Sequence, residues 1–382
     1  MSLKRNGRVV GGLMLAATAV ALINFSARPA HSQMAMTSLS TYVRTNMVSD
    51  NTSVVPAPIE DPRLVNSWGM AFGPTGEFWI NDNGSGLSTL YSYDPTTGLV
   101  DIIPEPSVVV PPPSNEPGVT AAPTGIVFNN NNAFSSNPQF DGDLFIFDTE
   151  DGTLSGWQPS FGNNAALRVD NPQAPNGAVY KGLALGSNNG KMELFATNFR
   201  NGTVDVFDVN YNKVTLPKNA FVDQKIPAGY APFGIANINS TLYVSYALQD
   251  GFKHDDVKGP GHGFIDQYMT SGKLIRRFAS RGRLDSPWGM VMAPNVGFGI
   301  ASAHILVGNF GDGGISIFDP ATGIWQGFIS DSSGDSISPD GLWSLAFGNG
   351  AEAGPTTTLF FTSGPNAEAD GLFGKIELDS NN

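Results

Sequence analysis

Apolar residues in this chain come in short runs separated by Gly, Asn, Asp and Pro clusters, a rhythm of strands and turns without the 3.6-residue period of helices. One run, NSWGMAFGP at Asn66 to Pro74, returns almost unchanged as SPWGMVMAP at Ser286 to Pro294. Four looser copies are APTGIVF, YKGLALG, APFGIAN and PDGLWSLAFG. Their glycines, Gly69, Gly125, Gly182, Gly234, Gly289 and Gly341, are 56, 57, 52, 55 and 52 residues apart.

Each unit repeats its interior. After the Gly-led run comes a second strand pattern (EFWIND, DLFIFD, MELFATN, TLYVSYA, HILVGNF, TLFFTSG), a polar turn, and a third (LSTLYSYD, GTVDVFDV, GFIDQYM, GGISIFDP and their equivalents). A fourth, less regular run follows in most units, set off by turns such as DPTTG and DPATG. A period near 50 residues with four strands per unit predicts a six-bladed β-propeller, all-β, with blades starting near 66, 122, 179, 231, 286 and 339. The innermost strand of a blade is packed on both faces, hence the unbroken apolar runs GMAF, GIVF, GLAL and GMVM. A glycine at its head omits a Cβ where backbones crowd the axis.

An open ring would leave a sheet edge unpaired. The last unit shows three clear strands, and TYVRTNMVSD at Thr41 to Asp50 has no blade of its own, so this N-terminal strand is expected to complete the sixth blade. PEPSVVVPPPSNEPG at Pro104 to Gly118 reads as a stiff connector between blades one and two.

The first 32 residues follow another logic. A basic start (Lys4, Arg5, Arg8), an apolar stretch and small residues at Ala30 and Ser32 predict a secretory signal peptide, leaving 33–382 as one propeller domain, periplasmic or extracellular. Removal of its four basic residues would take the formal charge from -13 to -17, which disfavours nucleic acid and anionic membranes as partners. A small molecule or an extracytoplasmic protein remains as the expected partner, with no stable membrane insertion after cleavage. The chain has no Cys, so disulfides, thiolate nucleophiles and Cys-based metal sites are excluded.

The run DPRLVNSWGMAFGPTGEFWINDNGSGLSTLY, together with SPWGMVMAP, LVGNFGDGGISIFDPATG, DGLWSLAFGNG and GLFGKIEL, closely resembles an uncharacterised family of exported bacterial propellers, distantly similar to NHL-repeat proteins. The resemblance spans nearly the whole mature chain and implies fold and export, but no reaction. Some members end in an apolar sorting segment; the ending KIELDSNN points to a free soluble protein.

Loops leading into the innermost strands and loops between second and third strands share one face of a propeller, where ligands of this fold commonly bind. The residues before the six glycines include Trp68, Lys181, Phe233, Trp288 and Asp340, candidates for a mouth with aromatic walls and opposed charges, or for packing between blades. Asp82, Asn198, Asn309 and Asp340 are candidate oxygen ligands for calcium, or simply turn formers. The long loop Ala247 to Gly263 carries His254, Asp255, Asp256 and His262, suited to a transition metal or acid-base work, or else a polar lid. No GxSxG, HExxH or GxxxxGK[ST] motif is present. A binding or scaffold protein with its ligand at the channel mouth is the leading expectation, and a calcium-dependent hydrolase or lyase of the lactonase type is the alternative.

Overall fold

The computed structural model describes residues 40–130, 138–171 and 177–380; the expected signal peptide lies outside them. Six sheets, antiparallel but for one short parallel pair, are arranged as the blades of a propeller. The innermost strands are Ser67–Ala71, Pro123–Phe128, Tyr180–Asn188, Tyr230–Ile238, Pro287–Met292 and Leu342–Phe347. All but their last residues are largely buried, as packing on both faces requires.

The sixth blade closes the ring as its missing strand demanded. Tyr42–Ser49 pairs antiparallel with Leu372–Leu378, from Tyr42 opposite Leu378 to Ser49 opposite Leu372. Tyr42 is buried, and its hydroxyl donates to the carbonyl of Phe298 in blade five at 3.1 Å, so the terminal strand also ties two blades together. A two-residue strand, Ile59–Glu60, adds to its outer side.

Two expectations change. The third blade has three strands, Tyr180–Asn188, Lys191–Asn198 and Thr203–Phe207, with a lone bridge between Phe207 and Lys213 where a fourth would lie. Asp208 accepts from the backbone N–H groups of Asn210 and Asn212, and this turn, followed by Pro217 and Pro227, leads the chain away from the edge. The proline-rich stretch is only partly a connector. Its first half is the end of blade one's outer strand, Leu99–Val109, an edge position that tolerates Pro104 and Pro106.

Strand pairing also corrects the sixth unit by three residues. Ser67 pairs with Asp82 and Met70 with Ile80 in blade one, whereas Leu342 pairs with Ser363 and Leu345 with Phe361 in blade six. Trp343 therefore corresponds to Trp68, and Ser344 to Gly69. Gly341 corresponds to Asn66 and Ser286, the leading-turn residues; all three have positive φ, 63°, 49° and 47°. The strand-head role of glycine holds elsewhere: a Cβ at Gly69, Gly234 or Gly289 would overlap the carbonyl of Thr124, Trp288 or Trp343 in the next blade.

Polar side chains stitch neighbouring blades near the axis. In each second strand the residue just before the partner of Ser67, Pro123, Tyr180, Pro232, Pro287 or Leu342 is, in turn, Asn81, Asp148, Thr197, Ser245, Gly308 and Thr362. Asn81 donates to the carbonyl of Gly125 at 3.0 Å, Thr197 to Phe233 at 2.6 Å and Ser245 to Pro287 at 2.6 Å, while Thr362 donates to the carbonyl of Trp68 and shuts the ring. These bonds satisfy buried carbonyls where inner strands meet without pairing.

Candidate functional site

The repeat puts two rings of residues around one mouth of the channel. The first comprises the strand heads Trp68, Thr124, Lys181, Phe233, Trp288 and Trp343. The second, two residues beyond the polar stitches, comprises Asn83, Glu150, Phe199, Ala247, Phe310 and Gly364. The aromatic members fill the axis. Trp343 stacks on Trp68 with centroids 3.4 Å apart and on Phe310 at 3.9 Å, and Trp288 meets Trp68 and Trp343 edge-on at 6.0 and 5.7 Å. Phe233 packs 5.9 Å from Trp343. Beyond this layer, along the same strands, lies a channel cavity of about 110 Å³ lined by Gly69, Gly125, Leu183, Gly289 and Leu345 among others.

On the aromatic layer runs an arc of polar side chains from five blades. Glu368 accepts from Asn66 Nδ2 at 3.4 Å, and the same amide nitrogen donates to Asn83 at 3.3 Å. Asn83 donates to Glu150 at 2.9 Å. Glu150 is ion-paired with Lys181, whose Nζ is also 3.4 Å from Asp255 Oδ1. His254 Nδ1 ends the arc, 2.9 Å from the same Asp255 oxygen. The arc is anchored to the rings beneath it: Trp343 Nε1 donates to Asn66 Oδ1 at 3.3 Å, and Trp288 Nε1 to the carbonyl of Lys181 at 2.7 Å.

Local backbone explains how these groups reach the mouth. Asn366, Ala367 and Glu368 occupy the left-handed region consecutively, at φ 56°, 54° and 67°. Such conformations are costly for residues with a Cβ and concentrate at sites where a side chain must be aimed. Asn66 aims inward from its own left-handed turn.

Electrostatics follow from burial and pairing. Lys181 is 2% exposed. Burial alone would pull its ammonium down, but the charges of Glu150 and Asp255 outweigh this and hold it above the usual lysine range. The hydrogen bond from His254 holds Asp255 down to about 2, and the same bond raises the imidazole. Burial, with the charge of Glu150 adding to it, pushes Glu368 up to about 7. Asp256 is also raised by burial, and its Oδ2 is buried without a hydrogen-bond partner.

The structure thus brings together Trp68, Lys181, Phe233 and Trp288 of the residues expected at the mouth. Lys181 Nζ lies 5.2 Å from the ring centre of Trp68. Asp340 is a correction: it is exposed and accepts from the backbone N–H of Asn366 at 2.9 Å, because the three-residue offset gives its expected place to Trp343.

The four candidate calcium ligands are engaged within separate blades. Asp82 is fully buried beside Thr89, which donates to it at 2.7 Å, and burial raises its carboxyl well above the carboxylate range. Asn198 donates to Asp205 at 3.0 Å, Asn309 to Asp312 at 3.0 Å, and Asp340 caps the Asn366 turn. Among the described residues, the His and carboxylate side chains close enough to share a metal are Glu150, His254 and Asp255, with ligand atoms within 4.8 Å of one another. The ammonium of Lys181 already supplies positive charge to Glu150 and Asp255. His262 bonds to the carbonyl of Val257 within its own loop and takes no part.

Glu150, Asn83, Phe199 and Phe310 escaped the sequence reading although a signal exists: NFRNG and GNFGDG place Phe199 and Phe310 at the same step, and extending that register to the other units marks Glu150 and Asn83.

Comparison with known proteins adds kinship but no reaction. Uncharacterized protein L690 of Acanthamoeba polyphaga mimivirus is 30% identical over 346 residues, covering 88% of this chain and 86% of the relative. Uncharacterized protein R648 of the same virus is 32% identical over 342 residues, covering 87% and 79%. The chain belongs to the family of these mimivirus proteins. Its members found here are viral, not the bacterial proteins that the sequence resemblance implied, and they are uncharacterised, as it did imply. No family model matches the chain. Among solved structures, a streptogramin B lyase is similar at TM-score 0.51 with 13% identity, covering 88% of this chain and 97% of the lyase, a likeness of fold.

Proposed function

We propose that this protein binds a small molecule at the channel mouth, against the aromatic layer and within reach of the arc from Glu368 to His254. One observation carries the reading: Lys181, buried on the aromatic layer, joins Glu150 of blade two to Asp255 of blade four. Burying the Lys181–Glu150 pair costs stability unless its geometry is well satisfied, and apolar residues would close the ring more cheaply. Charged groups from separate blades over an aromatic floor are what orientation of a polar ligand requires. A screen of metabolites by thermal shift and tryptophan fluorescence tests this. Hits should stabilise the parent protein and lose their effect in Asp255→Asn and His254→Ala; hits indifferent to both variants would overturn the reading.

A second reading, a hydrolase or lyase, is favoured by Glu368. A carboxyl with its midpoint near neutrality at one end of the arc, and an imidazole held by Asp255 at the other, are a proton donor and acceptor for chemistry near pH 7. The lyase fold likeness supports this only as an analogy. A lactone and ester panel, with and without chelator, should show turnover that Glu368→Gln and His254→Ala abolish. Export belongs to the proposal through the basic and apolar leader at residues 1–32, and a mature N-terminus near Gln33 by intact mass is its test.

A further inference from the structure

The stack of Trp68, Trp343 and Phe310 has an ammonium near each end. Lys181, itself buried, belongs to the polar arc at the Trp68 end. At the other end, Lys258 Nζ lies 3.9 Å from the ring centre of Phe310, within cation–π range. Lys258 is unlike Lys181 in every other respect. It is exposed, sits on the long blade-four loop, and makes no ion pair among the described residues.

The backbone on both sides of Lys258 is fixed. Val257 N–H donates to the carbonyl of Leu248 at 2.7 Å, and Gly259 N–H donates to Asp285 at 2.7 Å. Withdrawal of the ammonium from Phe310 therefore requires only side-chain rotation. The charge of Lys258 reaches acids that have no ion-pair partner among the described residues: it lowers Glu368, Asp256 and Asp285 against the burial that raises each of them. An aromatic face beside half-buried acids is the chemistry that selects organic cations.

We infer that Lys258 is a resident stand-in for the ammonium of a ligand, so that the mouth takes an organic cation and Lys258 leaves the face of Phe310 when it binds. The inference rests on the mouth being the binding site and adds the charge class of the ligand and its competitor.

Tryptophan fluorescence titrations with benzyltrimethylammonium, benzyl alcohol and benzoate, at matched ionic strength, test it. The parent should bind the cation more tightly than the other two probes. Lys258→Gln frees the ring and should bind the cation about two- to fivefold more tightly, the range of one exposed cation–π contact. Lys258→Arg, which keeps a cation on the ring, should remain within about twofold of the parent. Glu368→Gln should weaken the cation alone. Tighter benzyl alcohol or benzoate than cation would overturn the ligand class while leaving the mouth as a binding site. Unchanged or weaker cation binding in Lys258→Gln would overturn the stand-in role. Absence of saturable binding by every probe in both parent and Lys258→Gln would overturn the inference, and the mouth reading would then stand or fall on its metabolite screen.

Discussion

The indole N–H of Trp288 reaches across the channel from blade five to blade three, where it donates to the main-chain carbonyl of Lys181 at 2.7 Å. The bond joins the aromatic layer to the charged arc. Trp288 is thus neither a wedge between adjacent blades nor an open wall: it is 9% exposed, edge-on to Trp68 and Trp343, and it fixes the strand that carries the buried lysine.

Replacement of this residue should separate its two roles. Trp288→Phe keeps ring packing but strands a buried carbonyl, so a loss of roughly 1–3 kcal/mol is expected. Trp288→Ala also leaves a cavity and should lose about 3–5 kcal/mol. Denaturant melts of the two variants check the order, and a Trp288→Phe protein as stable as the parent would show that the hydrogen bond contributes nothing.

The corrected register of blade six makes a contrast between equivalent positions. Gly289→Ala places a Cβ against the carbonyl of Trp343, and a loss of roughly 1–3 kcal/mol is expected from overpacking. Ser344 already carries a Cβ at the corresponding point, so Ser344→Ala should cost less than about 0.5–1 kcal/mol. Gly341→Ala should resemble Gly289→Ala rather than Ser344→Ala, since Gly341 has φ 63° and faces the carbonyl of Gly364. Thermal unfolding of the three proteins measures the contrast, and a Ser344→Ala loss as large as that of Gly289→Ala would overturn it.

Ring closure should depend on the N-terminal strand. Deleting residues 40–50 exposes the edge of Leu372–Leu378 and removes the buried Tyr42, so loss of soluble folded protein or a fall of many degrees in Tm is expected. Truncation after Asp379 trims only a polar end and should leave Tm unchanged. Circular dichroism melts compare the two.

Glu368 makes stability depend on pH in a definite direction. Its carboxyl has an ordinary value of 4.5 and is raised to about 7 in the folded protein, so the folded state favours the protonated form. The associated stability is full below pH 4.5 and is lost as pH rises through 7. Glu368→Gln removes this loss and should flatten the profile, leaving the variant roughly 1–3 kcal/mol more stable at pH 8, relative to acid, than the parent. Asp148, pushed up to about 7 by burial, and Asp266, pushed up to about 6, act in the same direction in both proteins and cancel in the difference. Denaturant titrations from pH 4.5 to 8 measure it, and parallel profiles would overturn the assignment.

The sequence by itself determined the ring. Six apolar runs at near-constant spacing can be buried only by packing sheet against sheet, and a unit short of one strand can be completed only by an orphan strand, as Tyr42–Ser49 paired with Leu372–Leu378 bears out. The strand-head rule also brought Trp68, Lys181, Phe233 and Trp288 to one mouth, because equivalent residues of a closed repeat must face the same axis. The tertiary structure decided the rest. Gly341 and Gly289 look alike in the chain, and only cross-strand pairing shows that one is a turn residue and the other a strand head, which exchanges Asp340 for Trp343. Glu150, Asp255 and Glu368 lie in three loops far apart in sequence, and their meeting around Lys181 depends on loop backbone, including three consecutive left-handed residues at Asn366 to Glu368, that no periodicity encodes. Asp82, Asn198 and Asn309 show the converse. Their similar places in the repeat suggested convergence on an ion, but each side chain found a partner in its own blade, because a buried polar group satisfies its hydrogen bonds with whatever lies nearest.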